Sequence, residues 1–293
     1  MIWQQVILWQ IIASSVMTIW YRVSSVRYTK KTFSISLAVY FVVALAGFAL
    51  SFVHNQFLVP DFPNSKGVLY VLIEGACIPL AWLFSYKLLS VIGASSMVVA
   101  QTVNFLLVAL FGIIFLGDKF NVFIMLGGIL LIGGVGLALT TNGQNRHKNS
   151  ASLSYKVLLL SLGSLFLAIG LTFEKLAINE IGVWNYAMYG WGAQLVGAVV
   201  LFALFGRKEL QVHAAKGFYR SALFAGFLTA VSGGLFIYSL SKGVLSSVIL
   251  ASSAKVALTS ILAFWVLKER NNLRRRVAAM AVSIVGLVVI FSA

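Results

Sequence analysis

The chain has 293 residues, of which 60% are hydrophobic and only 10% are charged, with a net charge of +15. A soluble domain carries about 25% charged residues, so this composition excludes a water-soluble fold and predicts an integral membrane protein. A basic cytoplasmic face beside anionic lipid explains the net charge without a nucleic-acid partner, and the single cysteine, Cys77, excludes an intrachain disulfide.

Ten segments are long and apolar enough to cross about 30 Å of hydrocarbon as helices. These predicted spans are 2–21, 33–57, 67–89, 94–117, 121–140, 154–177, 183–206, 218–241, 245–267 and 273–292. Backbone groups in lipid must be hydrogen-bonded internally, so the predicted fold class is an all-α membrane protein with ten transmembrane helices. The first span lacks a basic leader and a clear cleavage site, and we interpret it as a retained helix.

The basic residues are distributed unequally between the two sides of the membrane. Seventeen lie on one side: Arg22, Arg27, Lys30, Lys31, Lys87, Arg146, Lys148, Lys156, Arg207, Lys208, Lys216, Arg220, Lys268, Arg270, Arg274, Arg275 and Arg276. Four lie on the other: Lys66, Lys119, Lys175 and Lys242. Because Lys and Arg accumulate in cytoplasmic loops, the first side is predicted to be cytoplasmic. With ten spans, both termini would then lie outside.

A polar linker at 142–153 divides the spans five and five, which predicts one repeat at 1–141 and a second at 154–293. A shift of 151 residues aligns four positions of the first half with identical residues of the second: Gly75, Ser95, Ser96 and Ala100 with Gly226, Ser246, Ser247 and Ala251. An odd number of spans per repeat inverts the second copy. Inverted repeats are typical of secondary transporters, whose binding site lies near the midplane of the membrane.

The same shift pairs Asn104 of span 4 with Lys255 of span 9. Each residue lies about ten residues into its span, or ~15 Å, which places both near the midplane. Small residues surround both positions, and small residues let helices approach closely in lipid. Spans 4 and 9 are therefore predicted to form a central packed pair.

The segment 116–139, LGDKFNVFIMLGGILLIGGVGLAL, resembles the EamA type of the drug/metabolite transporter superfamily. The likeness lies in an acid after Leu-Gly and in two spaced glycines, the second followed by valine: Asp118, Gly127, Gly134 and Val135. The second half keeps an acid at Glu269 but replaces the glycines with Ala278 and Val285.

This resemblance implies ten helices in two inverted five-helix repeats, a central cavity and alternating-access transport, often export of amino acids or other small metabolites. It also implies a multi-pass protein of the bacterial inner (cell) membrane. Relatives with ten helices usually keep both termini in the cytoplasm, whereas the charge bias of this chain predicts termini outside, so the two criteria disagree about orientation.

Lys255 and Glu74 are the principal candidates for a substrate site. A lysine at the centre of a membrane helix costs roughly 2.5–3.5 kcal/mol on insertion scales, so Lys255 needs a partner or a water-filled cavity. Glu74 is the one carboxylate well inside a span, at a similar predicted depth. Lys255 would bind a substrate carboxylate or phosphate, and Glu74 an ammonium group or a coupling proton. The alternative is a structural ion pair away from the transport path.

Other polar and aromatic residues extend this candidate site. Gln101 and Asn104 lie one helical turn apart and would either bind substrate or hydrogen-bond between helices. The remaining candidates are Gln10, Trp82, Tyr86 and Tyr238, with interfacial or packing roles as the alternative for the aromatic residues. Glu174, near the predicted end of span 6, is interpreted as solvated.

The function favoured by these features is a secondary-active transporter that moves, and by resemblance exports, a small polar metabolite such as an amino acid. The alternatives are a channel or non-transporting membrane scaffold and, less favoured, a membrane enzyme, since only seven Asp and Glu residues occur in the chain. The expected partners are a small-molecule substrate, the lipid bilayer and a coupling proton. No cofactor, metal or catalytic residue is expected, because the three histidines lack ligand spacing.

Overall fold

The computed structural model describes residues 3–60, 62–92, 97, 99–117, 122–139, 152–211, 217–243, 245–252, 255–267 and 273–291. All regular structure within these residues is helical. The helices are α1 (Trp3–Arg27), α2 (Thr32–His54), α3 (Ser65–Val91), α4 (Thr102–Phe111), α5 (Val122–Leu139), α6 (Leu153–Ile181), α7 (Val183–Leu201), α8 (Phe218–Lys242), α9 (Leu245–Ser252), α10 (Lys255–Val266) and α11 (Leu273–Phe291). Wider π-helical turns continue α4 over Gly112–Leu116 and α7 over Phe202–Gly206.

Six helical segments in the described part of the chain have the length and composition needed to cross a membrane. They are Gln5–Arg27, Thr32–His54, Ser65–Val91, Leu153–Ile181, Val183–Glu209 and Phe218–Lys242. Predicted spans 4 and 5 coincide with α4 and α5. Predicted span 9 coincides with the pair α9 and α10, and predicted span 10 coincides with α11. Each of these helices adjoins residues outside the described part of the chain. The chain is therefore a multi-pass membrane protein, and the count of ten transmembrane helices stays a prediction.

Side-chain caps set the start of two long helices. Asn64 Oδ1 accepts a hydrogen bond of 2.8 Å from the Gly67 backbone N–H at the start of α3. Ser152 Oγ accepts one of 3.2 Å from the Tyr155 N–H at the start of α6. Such caps bind N–H groups that have no partner within the helix.

Gly182 lies in the tight connection between α6 and α7. Its φ of +82° is a backbone conformation that favours glycine.

Two helices continue by a full turn or more past the ends predicted for them. The predicted span 2–21 ends before Arg22, but α1 continues to Arg27 because Arg22 is buried and its Nη1 donates a hydrogen bond of 2.5 Å to the Leu89 backbone oxygen. Likewise, α6 continues to Ile181. A charged group ends a hydrophobic run in the sequence, but it does not end a helix when the protein interior supplies its partner.

The principal interhelical contacts join the first half of the chain to the second. The most extensive are α3 with α6, α5 with α11, α2 with α7, and α1 with α8, followed by α3 with α7, α2 with α8, α4 with α6 and α1 with α10. The two halves are therefore interleaved rather than packed as separate bundles. Helices α4 and α9, from predicted spans 4 and 9, also contact each other.

Glycine permits close contact at two of these crossings. A Cβ on Gly75 of α3 would lie 2.6 Å from the Cβ of Ala193 on α7. A Cβ on Gly226 of α8 would lie 2.7 Å from the Cβ of Val42 on α2. Real Cβ atoms do not approach so closely, so both crossings require a residue without a side chain.

Candidate functional site

A cavity of about 270 Å³ lies between the two halves of the chain. Seven of the helices contribute to its wall, together with the residues just before α4. The lining residues are Met17, Thr18, Tyr21, Tyr40, Val43, Ile78, Ala81, Trp82, Ser85, Tyr86, Leu89, Met97, Gln101, Leu167, Leu171, Glu174, Trp191, Gln194, Thr229, Gly233, Phe236, Ile237 and Lys255. Four predicted site residues, Trp82, Tyr86, Gln101 and Lys255, therefore line one cavity.

Aromatic rings form one side of this cavity. The rings of Trp82 and Tyr86, one turn apart on α3, stack with their centroids 4.7 Å apart. Tyr21 of α1 meets both edge-on at 5.6 and 6.1 Å, and Tyr40 of α2 meets Trp82 at 6.4 Å. Such arrangements combine apolar faces with hydroxyl groups, so this wall can contact both the carbon skeleton and the polar groups of a small molecule.

The Tyr21 hydroxyl links the two halves across the cavity wall. It shares a hydrogen bond of 2.5 Å with Thr229 Oγ1 of α8. Because Thr229 donates its own proton to the Ala225 backbone oxygen at 2.7 Å, Tyr21 is the donor. The position of this ring therefore depends on contacts with the second half of the chain.

Gln101 and Lys255 contribute polar groups to the cavity from two different helical segments. Gln101 occupies a turn immediately before α4, in which the Asn104 backbone N–H donates to the Gln101 oxygen at 2.9 Å. Lys255 lies on α10, and its ammonium favours a negative group in the cavity.

Glu74 lies behind the cavity wall rather than in its lining. The side chain is fully buried on α3, and the Gln194 side-chain amide of α7 donates a hydrogen bond to its Oε1. Its Oε2 has no hydrogen-bond partner in the described part of the chain. Glu74 and Gln194 can meet because α3 and α7 cross at Gly75 and Ala193. Gly75 follows Glu74 in the sequence, and Ala193 precedes Gln194.

The carboxylate that lines the cavity together with Lys255 is Glu174. The prediction that Glu174 is solvated is wrong, because α6 continues beyond it and its side chain is only 5% exposed. Glu174 interacts electrostatically with Glu74, and the Tyr186 side chain of α7 lies beside both carboxylates. The site therefore contains two acids rather than one.

Besides Glu74, three predicted site residues are not among those that line the cavity. Asn104 and Gln10 are buried, and Asn104 Oδ1 and Gln10 Oε1 have no hydrogen-bond partner in the described part of the chain. Tyr238 is partly buried, and its ring lies 6.3 Å from that of Trp184. Asn104 lies on α4, one turn beyond Gln101.

Sequence reasoning missed Glu174, Gln194 and Tyr186. Gln194 had a detectable signal, because its amide lies about ten residues into the predicted span 183–206, and intramembrane polar residues usually face the protein interior. Glu174 was missed because the predicted end of its helix came too early. Tyr186 had no signal, since a tyrosine near a helix end is typical of the membrane interface.

The comparisons with known proteins agree with a membrane transporter. Residues 154–292 match the EamA-like transporter family. A protein of Latilactobacillus sakei subsp. sakei (strain 23K) that is named for ribose uptake, RbsU, is 26% identical over 249 residues, which cover 79% of this chain and 78% of that protein. A solved crystal structure superposes with a TM-score of 0.65 and 13% identity, over 96% of this chain and 97% of its own. The structural likeness shows the fold alone, and the two sequence likenesses point to a transporter rather than an enzyme.

Proposed function

Because this chain belongs to the drug/metabolite transporter superfamily, with its EamA-like match over residues 154–292, we propose that it is a secondary-active transporter of a small polar metabolite. The observation that carries this proposal is the cavity between the two halves, in which Lys255 and Glu174 lie among aromatic side chains. Charged groups inside a membrane protein mark a substrate or ion pathway. Alternating access around this cavity is the proposed mechanism.

The proposal includes two inverted five-helix repeats, at 1–141 and 154–293 with a linker at 142–153. Its support is the reciprocity of helix packing. If α6, α7 and α8 repeat α1, α2 and α3, the contact of α3 with α6 corresponds to that of α1 with α8, and the contact of α3 with α7 to that of α2 with α8. The glycines at these last two crossings, Gly75 and Gly226, are the pair that the 151-residue shift aligns.

An interrupted helix also supports a transport site. Helix α4 begins just after the turn at Gln101, a residue that lines the cavity. Under the repeat, Asn104 and Lys255 are equivalent. Discontinuous helices near the midplane form the substrate and ion sites of many secondary transporters.

The substrate class follows from the size and charge of the cavity. Ligand pockets for drug-sized molecules measure about 300–1,000 Å³, so a cavity of about 270 Å³ suits a smaller molecule. An amino acid fits the charges, with its carboxylate at Lys255 and its ammonium at Glu174. Gln101, Trp82 and Tyr86 would contact the rest of the molecule, while Glu74, Asn104, Gln10 and Tyr238 would support the site from outside its lining.

A pentose is the second candidate substrate. The relative that is 26% identical to this chain is named for ribose uptake, and a cavity with tyrosine and threonine hydroxyls offers hydrogen-bond partners for a sugar. The family resemblance favours export and the name of this relative favours uptake, so direction is part of the test. The proposed location is the bacterial cell membrane, and the proposed driving ion is a proton.

Reconstitution of the purified chain in proteoliposomes tests the proposal. Liposomes loaded in turn with amino acids and with ribose should accumulate the matching radiolabelled compound by counterflow, which needs no ion gradient. Liposomes without protein and liposomes with Lys255→Met serve as controls. If no compound of the panel moves although the protein is folded and inserted, the assignment to small polar metabolites is wrong.

A further inference from the structure

A second, open groove of about 1020 Å³ lies between the end of α1 and the start of α8. Helix α1 ends at Arg27 and α8 begins at Phe218, and both helices belong to segments that can cross a membrane. The groove therefore lies at the level where the bilayer meets water. None of its described lining residues lines the cavity that contains Lys255, so the groove is a separate site.

Two arginines give this groove a positive charge. Arg27 is the last residue of α1, Arg220 lies in the first turn of α8, and both are exposed. The Arg27 guanidinium lies 5.6 Å from the centre of the Tyr28 ring, which also lines the groove. The described lining residues include no acid. Because a guanidinium donates paired hydrogen bonds to phosphate oxygens, two arginines at one groove favour a phosphate group there.

Contacts between α1 and α8 hold the walls of the groove together. Trp20 Nε1 donates a hydrogen bond of 3.1 Å to the Ser221 backbone oxygen, and the hydroxyls of Ser24 and Ser221 share one of 2.9 Å. The Trp20 ring meets that of Phe224 edge-on, with the centroids 4.7 Å apart. These contacts fix the spacing of the two walls before a ligand binds, which reduces the entropy cost of binding.

An apolar strip leads from the arginines towards the interior of the membrane. On α8, the exposed side chains of Phe224, Phe227 and Val231 follow Arg220 at intervals of four, three and four residues, which places them on one face of the helix. On α1, the exposed Val23 lines the groove beside them. The strip on α8 is about 16 Å long, or roughly half of the hydrocarbon thickness. A charged end with an apolar strip of this length matches a phosphate group that carries an acyl chain.

We propose that this groove binds one anionic phospholipid of the surrounding bilayer, with its phosphate between Arg27 and Arg220 and an acyl chain along the apolar strip of α8. The two arginines come from opposite halves of the chain, so the lipid joins the halves at this end of the bundle. Both arginines lie on the side that the charge bias predicts to be cytoplasmic, where anionic lipids attract basic residues. The site does not depend on the identity of a transported substrate.

Native mass spectrometry of the full chain in detergent tests this site, with phosphatidylglycerol and phosphatidylcholine of the same acyl chains added in turn. One phosphatidylglycerol per chain should stay bound at concentrations at which phosphatidylcholine does not, because the choline ammonium would lie beside two arginines. Arg27→Gln combined with Arg220→Gln should weaken phosphatidylglycerol binding about 30-fold, as expected for two basic contacts with an anionic lipid. Arg207→Gln combined with Lys208→Gln removes the same charge from exposed residues outside the described lining, and this control should bind like the wild type.

Further arms of the experiment separate the lipid from other occupants. Excess glycerol 3-phosphate should not displace the lipid, because it lacks acyl chains, and phosphatidylglycerol should raise the unfolding temperature of the wild type and the control but not of the groove variant. Displacement by glycerol 3-phosphate would identify a site for soluble phosphates, and a dimer that the groove variant loses would identify an interface between copies of the chain. Either result overturns the proposal, as does equal binding of the two phospholipids or unchanged binding by the groove variant.

Discussion

The side-chain amide of Gln194 on α7 donates a hydrogen bond to the Glu74 carboxyl on α3, at the crossing of two helices from opposite halves of the chain. The contact couples the cavity wall, to which Gln194 belongs, to a fully buried acid behind it. Any movement of α3 against α7 would therefore change the surroundings of Glu74.

Replacement of Gln194 by leucine should destabilise the protein. The substitution removes the partner of Glu74 Oε1, while Oε2 has none in the described part of the chain. An unsatisfied buried polar group costs about 1–3 kcal/mol, more when it is charged. Thermal unfolding in detergent measures the loss. Val196→Ala, at a side chain on α7 that is 61% exposed, is the control and should change stability far less. Equal stability of Gln194→Leu and wild type would contradict the importance of the contact.

Gly75→Ala should weaken the crossing of α3 and α7. The added Cβ would lie 2.6 Å from that of Ala193, and overpacking of this kind costs about 1–3 kcal/mol. Gly192→Ala on α7 is a matched control, since a Cβ there meets nothing within 4 Å. Because alanine favours helices over glycine by up to about 1 kcal/mol, the control should be neutral or stabilising. The prediction fails if both variants unfold at the same temperature.

Lys255→Met should abolish counterflow and leave the fold intact. Methionine keeps most of the side-chain volume and removes the charge that the cavity offers to a substrate. The measurement is the initial rate of counterflow per inserted protein. Lys242→Met, at an exposed lysine at the end of α8, should transport at the wild-type rate. Transport by a folded Lys255→Met protein at the wild-type rate would leave Lys255 with a structural role.

The orientation of the chain is testable with a reporter at its C-terminus that is active only in the cytoplasm. The bias of seventeen basic residues against four predicts that the C-terminus lies outside, so a fusion at Ala293 should be inactive. A fusion in the loop at 142–153, on the predicted cytoplasmic side, should be active and serves as the control. Activity at the C-terminus would support the orientation implied by the family resemblance.

The cavity itself was partly predictable from the sequence. Lys255, Gln101, Trp82 and Tyr86 stood out as polar or aromatic residues within apolar runs, and all four line it. Glu74 is not in the lining: its hydrogen bond goes to Gln194, and the acid in the lining is Glu174. Hydropathy gives the depth of a residue but not the direction in which it points around the helix axis, and a contact between helices depends on both.

The sequence by itself determined that this protein is a multi-pass helical membrane protein, because runs of apolar residues leave the backbone no alternative in lipid. It also determined the segments from which the site is built. Only the tertiary structure decided which segments meet. The pairing of Glu74 with Gln194, and the burial of Glu174 beside Tyr186, depend on crossings of α3 with α6 and α7. Such crossings are set by shape complementarity between residues about a hundred positions apart, which no local pattern encodes.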